Sequence, residues 1–520
     1  VPSTKKLLSI TNLKKYFPIA KSSIFQRQQY YVKANEDISL DIYEGETLGI
    51  VGESGCGKST LGRVLLQLYE QTAGTTMYYG MSRAELAPRY VTDTLRHAKR
   101  YISKLHAAQA RADAASAKVS QLGEAATFFD LQNKNLAVAE YQTAQAHIAK
   151  ILGGFLVRDT EQGAALLYRK ARLEERAAAL SDRIRDIELM LDEAEGGTAD
   201  DGKPANASQL ARLKGRCDRL TRERDGLNAQ IREAEQSIAA IKQAHRDDPE
   251  FQRYEAMLDD GIDLARLKYS EMRILRKDLQ IIFQDPYSSL NPRFTIGQII
   301  EEGLVTHKFF RHGSPKMREH VVRTMKECGL QEYMLFRYPH QFSGGQRQRI
   351  SIARALAVHP KFVVCDECVS ALDVSIQSQI INLLQELKQK EHLTYMFISH
   401  DLSVVRYISD RICVMYLGNV VELADAATVF GDPRHPYTVA LLSSIPTTDM
   451  ESLKKERILL EGSIPSPVKP PDGCKFHTRC WMACDKCRRV PPPLAEIEPG
   501  HFVACHFPER KLYENGNYLF

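Results

Sequence analysis

The sequence contains no long apolar run. None of its 520 residues fall in a stretch approaching the roughly 18–20 uninterrupted apolar residues that a membrane-spanning helix needs, so any membrane role is expected to be exerted through a partner. The first residues, Val1–Leu8, show no apolar region followed by a small-residue cleavage site, and therefore no sign of secretion. The net charge of +5 is small, and Lys and Arg alternate with Asp and Glu, so the footprint of a nucleic-acid-binding domain is missing. We expect a cytosolic chain that binds no nucleic acid.

At 520 residues, the chain is longer than a domain with a single hydrophobic core usually is, so two or more folding units are expected. Strand-like runs at Leu7–Ile10, Ile38–Ile42 and Thr47–Val51 precede a helix predicted from about Ser59 to Tyr69. Residues 81–271 are rich in strong helix formers, and alternating strands and helices resume at 272–430. The pattern predicts one α/β domain, 1–80 and 272–430, split by a helical insertion at 81–271. A loop-dominated segment rich in Pro and Cys, 431–520, follows it.

The insertion carries an apolar stripe at alternating spacings of four and three residues, which is the seam of a heptad pattern. A polar, Gly-rich stretch at Gly196–Ser208 interrupts it, so two helices of an antiparallel coiled-coil hairpin are predicted, and a less regular helical pair at about 92–121 and 124–152. The seam either only holds the helices together or forms a docking arm for a partner. Its residues are Leu173, Ala177, Leu180, Ile184, Ile187 and Leu191, then Leu213, Cys217, Leu220, Leu227, Ile231, Ala234, Ile238 and Ile241.

A glycine-rich loop follows the predicted strand Thr47–Val51 and opens a helix, which is the context that a phosphate-binding loop requires. Glycines let backbone N–H groups turn toward phosphates, and the helix N-terminus adds partial positive charge. The alternative, a glycine turn that fits the pattern by chance, is disfavoured by these flanking elements. We predict that Lys58 reaches the β- and γ-phosphates of ATP and that the Ser59 hydroxyl holds Mg²⁺. The predicted loop consists of Gly52, Ser54, Gly55, Cys56, Gly57, Lys58, Ser59 and Thr60.

A second motif is an apolar strand, Phe362–Cys365, that ends in two carboxylates. Asp366 is placed to bind Mg²⁺ through water, and Glu367 is placed to orient or deprotonate an attacking water. Taken alone, the segment is explained equally well by a solvated acidic pair that closes a strand.

The segment Phe342-Ser-Gly-Gly-Gln346 lies between these motifs and resembles the LSGGQ signature of the ABC ATPase family, with Phe in place of Leu. Other family elements stand in the expected order. Gln284 resembles the Q-loop residue, which contacts Mg²⁺ and the catalytic centre, Asp373 resembles the D-loop residue, and His400 resembles the H-switch. Phe17 lies where the family places an aromatic that stacks on adenine, with Tyr16 as an alternative.

This resemblance implies the fold class: an ABC-type α/β P-loop domain with a small antiparallel β subdomain and a helical subdomain. It also implies that two such domains pair head to tail, as an obligate dimer. Glu367, Gln284 and His400 would then be catalytic at the chain's own site. The signature residues Ser343, Gly344, Gly345 and Gln346 would act on the ATP of the partner.

Helical hairpins also occur in the SMC and related DNA-repair ATPases of the same superfamily, where the coiled coil follows the Q-loop. Here the insertion precedes Gln284, and only 58 residues separate Gln284 from Ser343. That length suffices for the helical subdomain of a transporter ATPase and no more. A soluble ABC ATPase that acts mechanically on nucleic acid or ribosomes remains the competing hypothesis.

Three further stretches resemble the oligopeptide/dipeptide importers: Phe283–Arg293, Val369–Gln377 and His435–Leu442. The stretch Tyr43–Ser59 is similar to the F-type ATPase subunit of such importers. The resemblance implies a D-type ATPase as heterodimer partner, two permease subunits, an extracytoplasmic peptide-binding protein acting indirectly, and a location at the cytoplasmic face of the membrane. Nickel and glutathione importers use similar ATPases, so the substrate stays open.

Five of the 11 cysteines crowd into Cys474–Cys505, which in a reducing compartment indicates a metal or cluster site more often than disulfides. Cys474, Cys480, Cys487 and Cys505 lie in a segment resembling the C-terminal segment of this family. Their spacing lacks paired C-x₂-C knuckles, which favours a [4Fe–4S] cluster over zinc or free thiols. Cys484 has no assigned role.

Overall fold

The computed structural model describes residues 5–21, 28–195, 207–310, 313–445, 458–509, 512–514 and 517–518, and these form two compact units. The first unit is Val1–Thr76 with Met272–Phe520, and the second is Met77–Glu271. In the described ranges, no helix is long and apolar enough to cross a membrane. The strands are β1 (Lys6–Pro18), β2 (Tyr31–Tyr43), β3 (Thr47–Val51), β4 (Ala73–Tyr78), β5 (Ile262–Asp263), β6 (Leu279–Ile282), β7 (Phe362–Asp366), β8 (Thr394–Ile398), β9 (Arg411–Tyr416), β10 (Asn419–Asp425), β11 (Ala495–Glu498), β12 (His501–Val503), β13 (Tyr513–Glu514) and β14 (Asn517–Tyr518).

The helices are distributed over both units. They are α1 (Lys58–Leu65), α2 (Arg83–Leu86), α3 (Arg89–Arg96), α4 (Ala98–Leu122), α5 (Phe128–Leu152), α6 (Thr160–Glu195), α7 (Ala207–Ala244), α8 (Pro249–Glu255), α9 (Tyr269–Leu275), α10 (Pro286–Ser289), α11 (Ile296–Thr306), α12 (Pro315–Glu327), α13 (Gly344–Leu356), α14 (Val374–Glu391), α15 (Leu402–Ile408), α16 (Ala426–Gly431), α17 (Pro436–Ser443) and α18 (Asp485–Arg489).

The first unit is built on an eight-stranded sheet with the order β11-β12-β10-β9-β3-β8-β7-β6. Strands β6, β7, β8, β3 and β9 run parallel, and β10, β12 and β11 continue the sheet as antiparallel strands. Every residue of β3, β7 and β8 is buried, as expected for parallel strands covered on both faces. Because β3 and β7 are parallel and both central, their C-terminal ends lie at the same edge of the sheet.

A smaller antiparallel sheet pairs β1 with β2, and β4 adjoins β1. Both long strands extend beyond the predicted runs, and their pairing shifts register at several points. Helices α11, α12 and α13 contribute to one buried apolar cluster that also includes the central strands. The predicted α/β class with an antiparallel sheet and additional helices is confirmed.

Helix α1 is shorter than predicted. It begins at Lys58 and ends at Leu65, whereas the sequence pattern suggested a helix up to Tyr69. Gln67 adopts a left-handed conformation with φ of 53°, which an α-helix cannot accommodate. The sequence up to position 66 keeps an apolar pattern typical of a helix, so it did not indicate that the helix ends at this point.

The second unit contains two pairs of long helices. Helices α4 and α5 pack together, and so do α6 and α7, where Lys170 pairs with Glu235 at 2.9 Å and His245 pairs with Asp159 at 2.6 Å. These ion pairs show that α6 and α7 run antiparallel. The predicted stripe lies between them: Leu173, Leu180, Ile187, Leu220 and Leu227 are among its buried members. Most of the predicted break, residues 196–206, lies outside the described residues.

The segment after residue 430 is less loop-dominated than predicted. Strand β12 pairs with β10, and β11 pairs with β12, so this segment completes one edge of the main sheet. His501 Nε2, at the start of β12, donates to Oε1 of the buried Glu422 carboxylate at 2.8 Å. The Pro-rich composition concealed these strands, because only three or four residues of each are paired.

Candidate functional site

The glycine-rich loop connects β3 to α1 through three residues with positive φ. These are Gly52 (146°), Gly55 (79°) and Gly57 (100°). A Cβ on Gly52 would lie 2.2 Å from the Met415 carbonyl oxygen, and a Cβ on Gly57 would lie 2.1 Å from the Ala34 carbonyl oxygen. Only glycine satisfies both the dihedral angles and the close approach at these two positions. The loop is therefore a tight turn that opens directly into a helix N-terminus.

Lys58, the first residue of α1, is buried and points back into this loop. Its Nζ donates to the carbonyl oxygens of Gly52 at 2.7 Å and Glu53 at 3.1 Å. Within the same loop Ser54 is exposed, whereas burial raises the pKa of the Cys56 thiol and keeps it protonated. The loop thus holds an ammonium group against its own backbone.

Ser59 and Asp366 come together from opposite ends of the sequence. The Ser59 hydroxyl donates to Asp366 Oδ1 at 2.5 Å, and Arg63 lies 3.3 Å from Asp366 Oδ2. Asp366 is the last residue of β7 and is almost fully buried, while Thr60 occupies the next position on α1. A hydroxyl oxygen and a carboxylate oxygen side by side are ligands that Mg²⁺ prefers. The residues therefore fit a magnesium ion.

Glu367, Gln284 and His400 form a second group at the same edge of the sheet. Gln284 Nε2 donates to Glu367 Oε2 at 2.8 Å, and His400 Nδ1 lies 3.6 Å from Glu367 Oε1. Glu367 has a positive φ of 49°, a conformation that costs a non-glycine residue about 1–3 kcal/mol. Strained residues of this kind cluster at functional sites. The arrangement places a largely buried carboxylate between a neutral amide donor and an imidazole.

The signature residues lie at the start of α13. Ser343 caps the helix, with its Oγ accepting from the Gln346 amide and the Gln346 side chain accepting from the Ser343 amide. Gly345 packs so closely that a Cβ would lie 2.5 Å from Ile376 Cγ2, whereas Gly344 has more room. Asp373 caps α14 in the same way and accepts from the Ile376 amide at 3.0 Å.

The two candidate aromatic residues of β1 have different environments. Tyr16 is buried, and its hydroxyl donates to Glu36 at 2.7 Å. Phe17 is half-buried, with its ring 5.5 Å from the Tyr69 ring and 4.6 Å from Lys15 Nζ. An aromatic face that is partly exposed is available to a ligand, and a buried, hydrogen-bonded one is not.

The C-terminal cysteines are reduced and lie near one another. The Cys474 amide donates to the Cys487 carbonyl at 2.7 Å, and Cys484 Sγ lies 3.7 Å from Cys487 Sγ. Burial, together with the neighbouring Cys505 and Cys487, raises the pKa of Cys474 to about 11. Burial likewise raises the pKa of Cys480 to about 12. Among the described residues, however, no three His, Cys, Asp or Glu side chains converge in a geometry that would hold a metal ion.

A contact that the sequence did not reveal links this C-terminal segment to the glycine-rich loop. Arg479 donates to both carboxylate oxygens of Glu53, at 2.7 and 3.1 Å. The Glu53 amide donates to the Tyr437 hydroxyl at 2.8 Å. Glu53 and Arg479 are more than 400 residues apart, so no local pattern could have paired them. The loop is therefore anchored by buried side chains of the C-terminal segment.

Comparisons with known proteins agree with this geometry. A model of the ABC transporter family matches residues 35–155 and 253–370, and a model of the oligopeptide/dipeptide transporter C-terminal region matches residues 421–487. The putative oligopeptide transport ATP-binding protein YkfD of Bacillus subtilis is 52% identical over 257 residues, which cover 49% of this chain and 76% of that protein. The oligopeptide transport ATP-binding protein AppF of the same organism is 52% identical over 254 residues, 48% of this chain and 76% of that protein.

One solved structure has a weaker similarity. MJ0796, described as a bacterial ABC transporter cassette, is 16% identical with a TM-score of 0.41, covering 81% of this chain and 99% of that chain. Residues 156–252, inside the second unit, lie between the two segments that the ABC transporter model matches.

Proposed function

The chain belongs to the ABC transporter family of ATP-binding subunits, and from that membership we propose that it powers the import of oligopeptides or dipeptides. Because the members of this family are ATP-hydrolysing subunits, the chain is an ATPase. The main support for a peptide substrate is the 52% identity over 257 residues to a protein named for oligopeptide transport. The match of residues 421–487 to the C-terminal region of oligopeptide/dipeptide transporters supports the same class. Its similarity to AppF and the stretch Tyr43–Ser59 support an F-type subunit.

In this proposal the loop from Gly52 to Thr60 holds the phosphates of ATP. Lys58 transfers its hydrogen bonds from the two loop carbonyls to the β- and γ-phosphates, because an ammonium group prefers a charged acceptor. Ser59, Asp366 and Gln284 would hold Mg²⁺, which supplies neutralising charge to the phosphates when bound. The 2.5 Å contact between Ser59 and Asp366 supports this assignment. Phe17, the more exposed of the two candidate aromatics, stacks on adenine.

Glu367 is the proposed catalytic base. Its carboxylate orients or deprotonates the water that attacks the γ-phosphate, and the Gln284 amide and the His400 imidazole hold it in position. The hydrogen bond from Gln284 Nε2 fixes one carboxylate oxygen of Glu367 and leaves the other, Oε1, facing His400. Gln284 and His400 lie on opposite sides of the Glu367 carboxylate. We assign to His400 the role of contacting the γ-phosphate.

The signature and D-loop residues imply a second ATPase subunit. We propose a D-type partner in a heterodimer, on whose ATP Ser343, Gly344, Gly345 and Gln346 act, with Asp373 in the D-loop. Serine and backbone amides at the start of α13 are groups that favour phosphate. ATP-driven closure would be transmitted through the region Gln284–Ile300 to two permease subunits at the cytoplasmic face of the membrane, which receive peptides from an extracytoplasmic binding protein.

We further propose that Cys474, Cys480, Cys487 and Cys505 hold a [4Fe–4S] cluster, with structural zinc as the alternative. The mutual electrostatic influence of these thiols supports the grouping. Their raised pKa values mean that ligation must displace protons, since the thiolate is the metal ligand. Anaerobic purification with iron analysis and an absorbance spectrum tests this assignment. Stoichiometric zinc without iron would overturn the cluster.

We interpret the pair α6 and α7 as an antiparallel coiled coil whose seam holds the two helices together. Replacing residues 90–265 with a short linker tests whether the coiled coil has any further role in the transporter. Unchanged peptide uptake and partner binding would assign it no role in transport.

Replacing the proposed base tests the hydrolytic site. Glu367→Gln, assayed in a complex whose partner ATPase is inactivated, should retain ATP and lose turnover, because the amide cannot accept the proton from water. Glu386→Gln, which alters an exposed carboxylate on α14, is the matched control and should hydrolyse ATP like the unaltered chain. Unaltered turnover in Glu367→Gln would refute the assigned base.

Co-purification and uptake test the transport assignment. The tagged chain should co-purify with membrane permeases, and vesicles containing the complex should take up oligopeptides or dipeptides on ATP addition. Uptake of nickel or glutathione without uptake of peptides would refute a peptide substrate and assign the transporter to the substrate that is taken up. Nucleic acid in place of permeases would favour a mechanical ABC ATPase instead.

A further inference from the structure

The second unit contains a cavity of about 1140 Å³ that lies entirely within residues 89–268. Helices α3, α4, α5 and α6 form its walls, and Arg266 and Lys268 also line it. An apolar cluster that includes Val91, Leu95 and Ile148 packs these helices against one another. The cavity is therefore a concave space between well-packed helices. Its size is that of sites that accept a cofactor-sized ligand.

The lining of this cavity is strongly cationic. Seven Lys or Arg side chains face three carboxylates, an excess of four positive charges. The carboxylates are already engaged. Glu140 pairs with Arg111 at 2.5 Å, Glu175 pairs with Arg172, and Asp93 accepts from the Tyr101 hydroxyl at 2.5 Å. The excess charge is therefore not neutralised inside the cavity.

Four of the cations have no acidic partner. Arg89, Arg96, Lys104 and Lys268 form no ion pair with any residue that the structure describes. All four are exposed, so water solvates them in the absence of a ligand. Arg96 and Lys104 project from consecutive helices, α3 and α4, into the same cavity. Two unpaired cations on one cavity suit an anion with more than one charged group.

Arg266 also lines the cavity and is half-buried. Its guanidinium donates to Thr94 Oγ1 at 2.8 Å and to the His147 carbonyl at 3.1 Å, and its plane lies 4.5 Å from the Tyr90 ring centre. Burial lowers the pKa of Arg266, while the nearby Asp263 raises it. The Asp263 carboxylate itself lies 3.2 Å from His147 Nε2. A fixed, partly desolvated guanidinium without a bonded carboxylate is suited to a phosphate group.

Aromatic rings complete the lining. Tyr90, Tyr101 and Tyr168 contribute to the walls, each only half-buried. Tyrosine rings present flat faces on which a nucleobase can stack, whichever base it is. The cavity thus combines groups for phosphates with groups for a planar ring.

We propose that this cavity is a second nucleotide site, which binds a nucleoside polyphosphate through Arg96, Lys104 and Arg266 and stacks its base on the tyrosines. It differs from the loop Gly52–Thr60 in having no glycine-rich turn, so recognition depends on side chains alone. The lining residues come from four helices around a concave space, which suits a small ligand better than the flat surface of a bilayer. The site is independent of the transported substrate.

The test uses the full chain with Lys58→Ala, which disables the first phosphate site in every sample. ATP and GTP are titrated in turn by equilibrium dialysis, with inorganic tripolyphosphate as the ring-free probe. The pocket variant adds Arg96→Ser and Lys104→Ser. The matched control adds Lys99→Ser and Arg100→Ser, two exposed cations of the same region that do not line the cavity.

We expect each Lys58→Ala chain to bind one ATP or GTP. The affinity of the pocket variant for the nucleotide should be at least tenfold lower, and that of the control variant should stay within twofold of the Lys58→Ala parent. Tripolyphosphate should bind at least fivefold more weakly than the nucleotides. Circular dichroism should be the same in all three chains, since the altered residues are exposed. Absence of nucleotide binding, equal weakening by pocket and control variants, or equal affinity for tripolyphosphate would each overturn the proposal.

Discussion

The ion pair between Arg479 and Glu53 is the anchor of the phosphate-binding loop, and its strength can be measured. The Arg479 side chain is 7% exposed and Glu53 is 23% exposed, so the pair is neither a surface contact nor fully desolvated. Its two hydrogen bonds, at 2.7 and 3.1 Å, form the bidentate geometry that gives guanidinium–carboxylate pairs their strength. An exposed pair is worth about 0–1 kcal/mol, and breaking a buried one costs about 3–5 kcal/mol.

A double-mutant cycle with Glu53→Gln and Arg479→Met isolates the interaction from the other effects of each change. We expect each single variant to lower the free energy of unfolding by about 2–3 kcal/mol, and the coupling energy to be about 1.5–2 kcal/mol. Trp481, the one tryptophan of the chain, lies two residues from Arg479, so its fluorescence during urea unfolding reports on this segment.

The matched control is the same cycle on Lys326 and Glu332, a pair at 3.3 Å whose side chains are 62% and 55% exposed. Its coupling energy should stay below about 0.5 kcal/mol. A coupling energy of the same small size for Glu53 and Arg479 would refute the conclusion that the C-terminal segment anchors the loop.

Three further predictions concern substitutions elsewhere in the chain, two of them with a matched control. Gly57→Ala should abolish ATP binding and lower the free energy of unfolding by about 2 kcal/mol or more, since its Cβ would meet a carbonyl oxygen, whereas Gly55→Ala, with open space, should cost about 1 kcal/mol. Burial would raise the pKa of Glu36, but three lysines and a tyrosine hydroxyl outweigh it and lower the pKa from 4.5 to about 2. Glu36 thus contributes stability that is present above pH 4.5 and lost as the pH falls through 2. Glu36→Gln should cost about 3 kcal/mol at pH 7 and progressively less below pH 4 in urea titrations. Leu180→Ala in the seam should cost about 2–4 kcal/mol in thermal unfolding, and exposed Leu189→Ala less than about 0.5.

The sequence allowed the motifs to be located because each depends on local chemistry. A strand, a glycine turn and a helix occur consecutively around Lys58, and a buried strand ending in carboxylates is visible as an apolar run before Asp366. The heptad seam is visible for the same reason, since its period follows from helix geometry.

Other features depend on residues that are distant in sequence. The end of α1 at Leu65 is set by the left-handed Gln67, and glutamine gives no warning of that conformation. The anchoring of Glu53 by Arg479 needs the C-terminal segment to fold back over the loop. The cationic cavity arises from five separate stretches between residues 89 and 268, and in the sequence its arginines are indistinguishable from solvated ones on other helix faces.

The order of the strands in the main sheet has a consequence for synthesis on the ribosome. Strand β3 obtains neighbours only when Thr47 pairs with Tyr395 and Ile50 pairs with Cys413. At about 5–20 residues per second, the strand that precedes the phosphate-binding loop emerges tens of seconds before either neighbour. The helices of the second unit, whose contacts are closer in sequence, are made during this interval. The nascent chain therefore carries an unpaired, apolar strand past a folded helical unit, which makes this subunit a natural client for chaperones that shield unpaired strand edges.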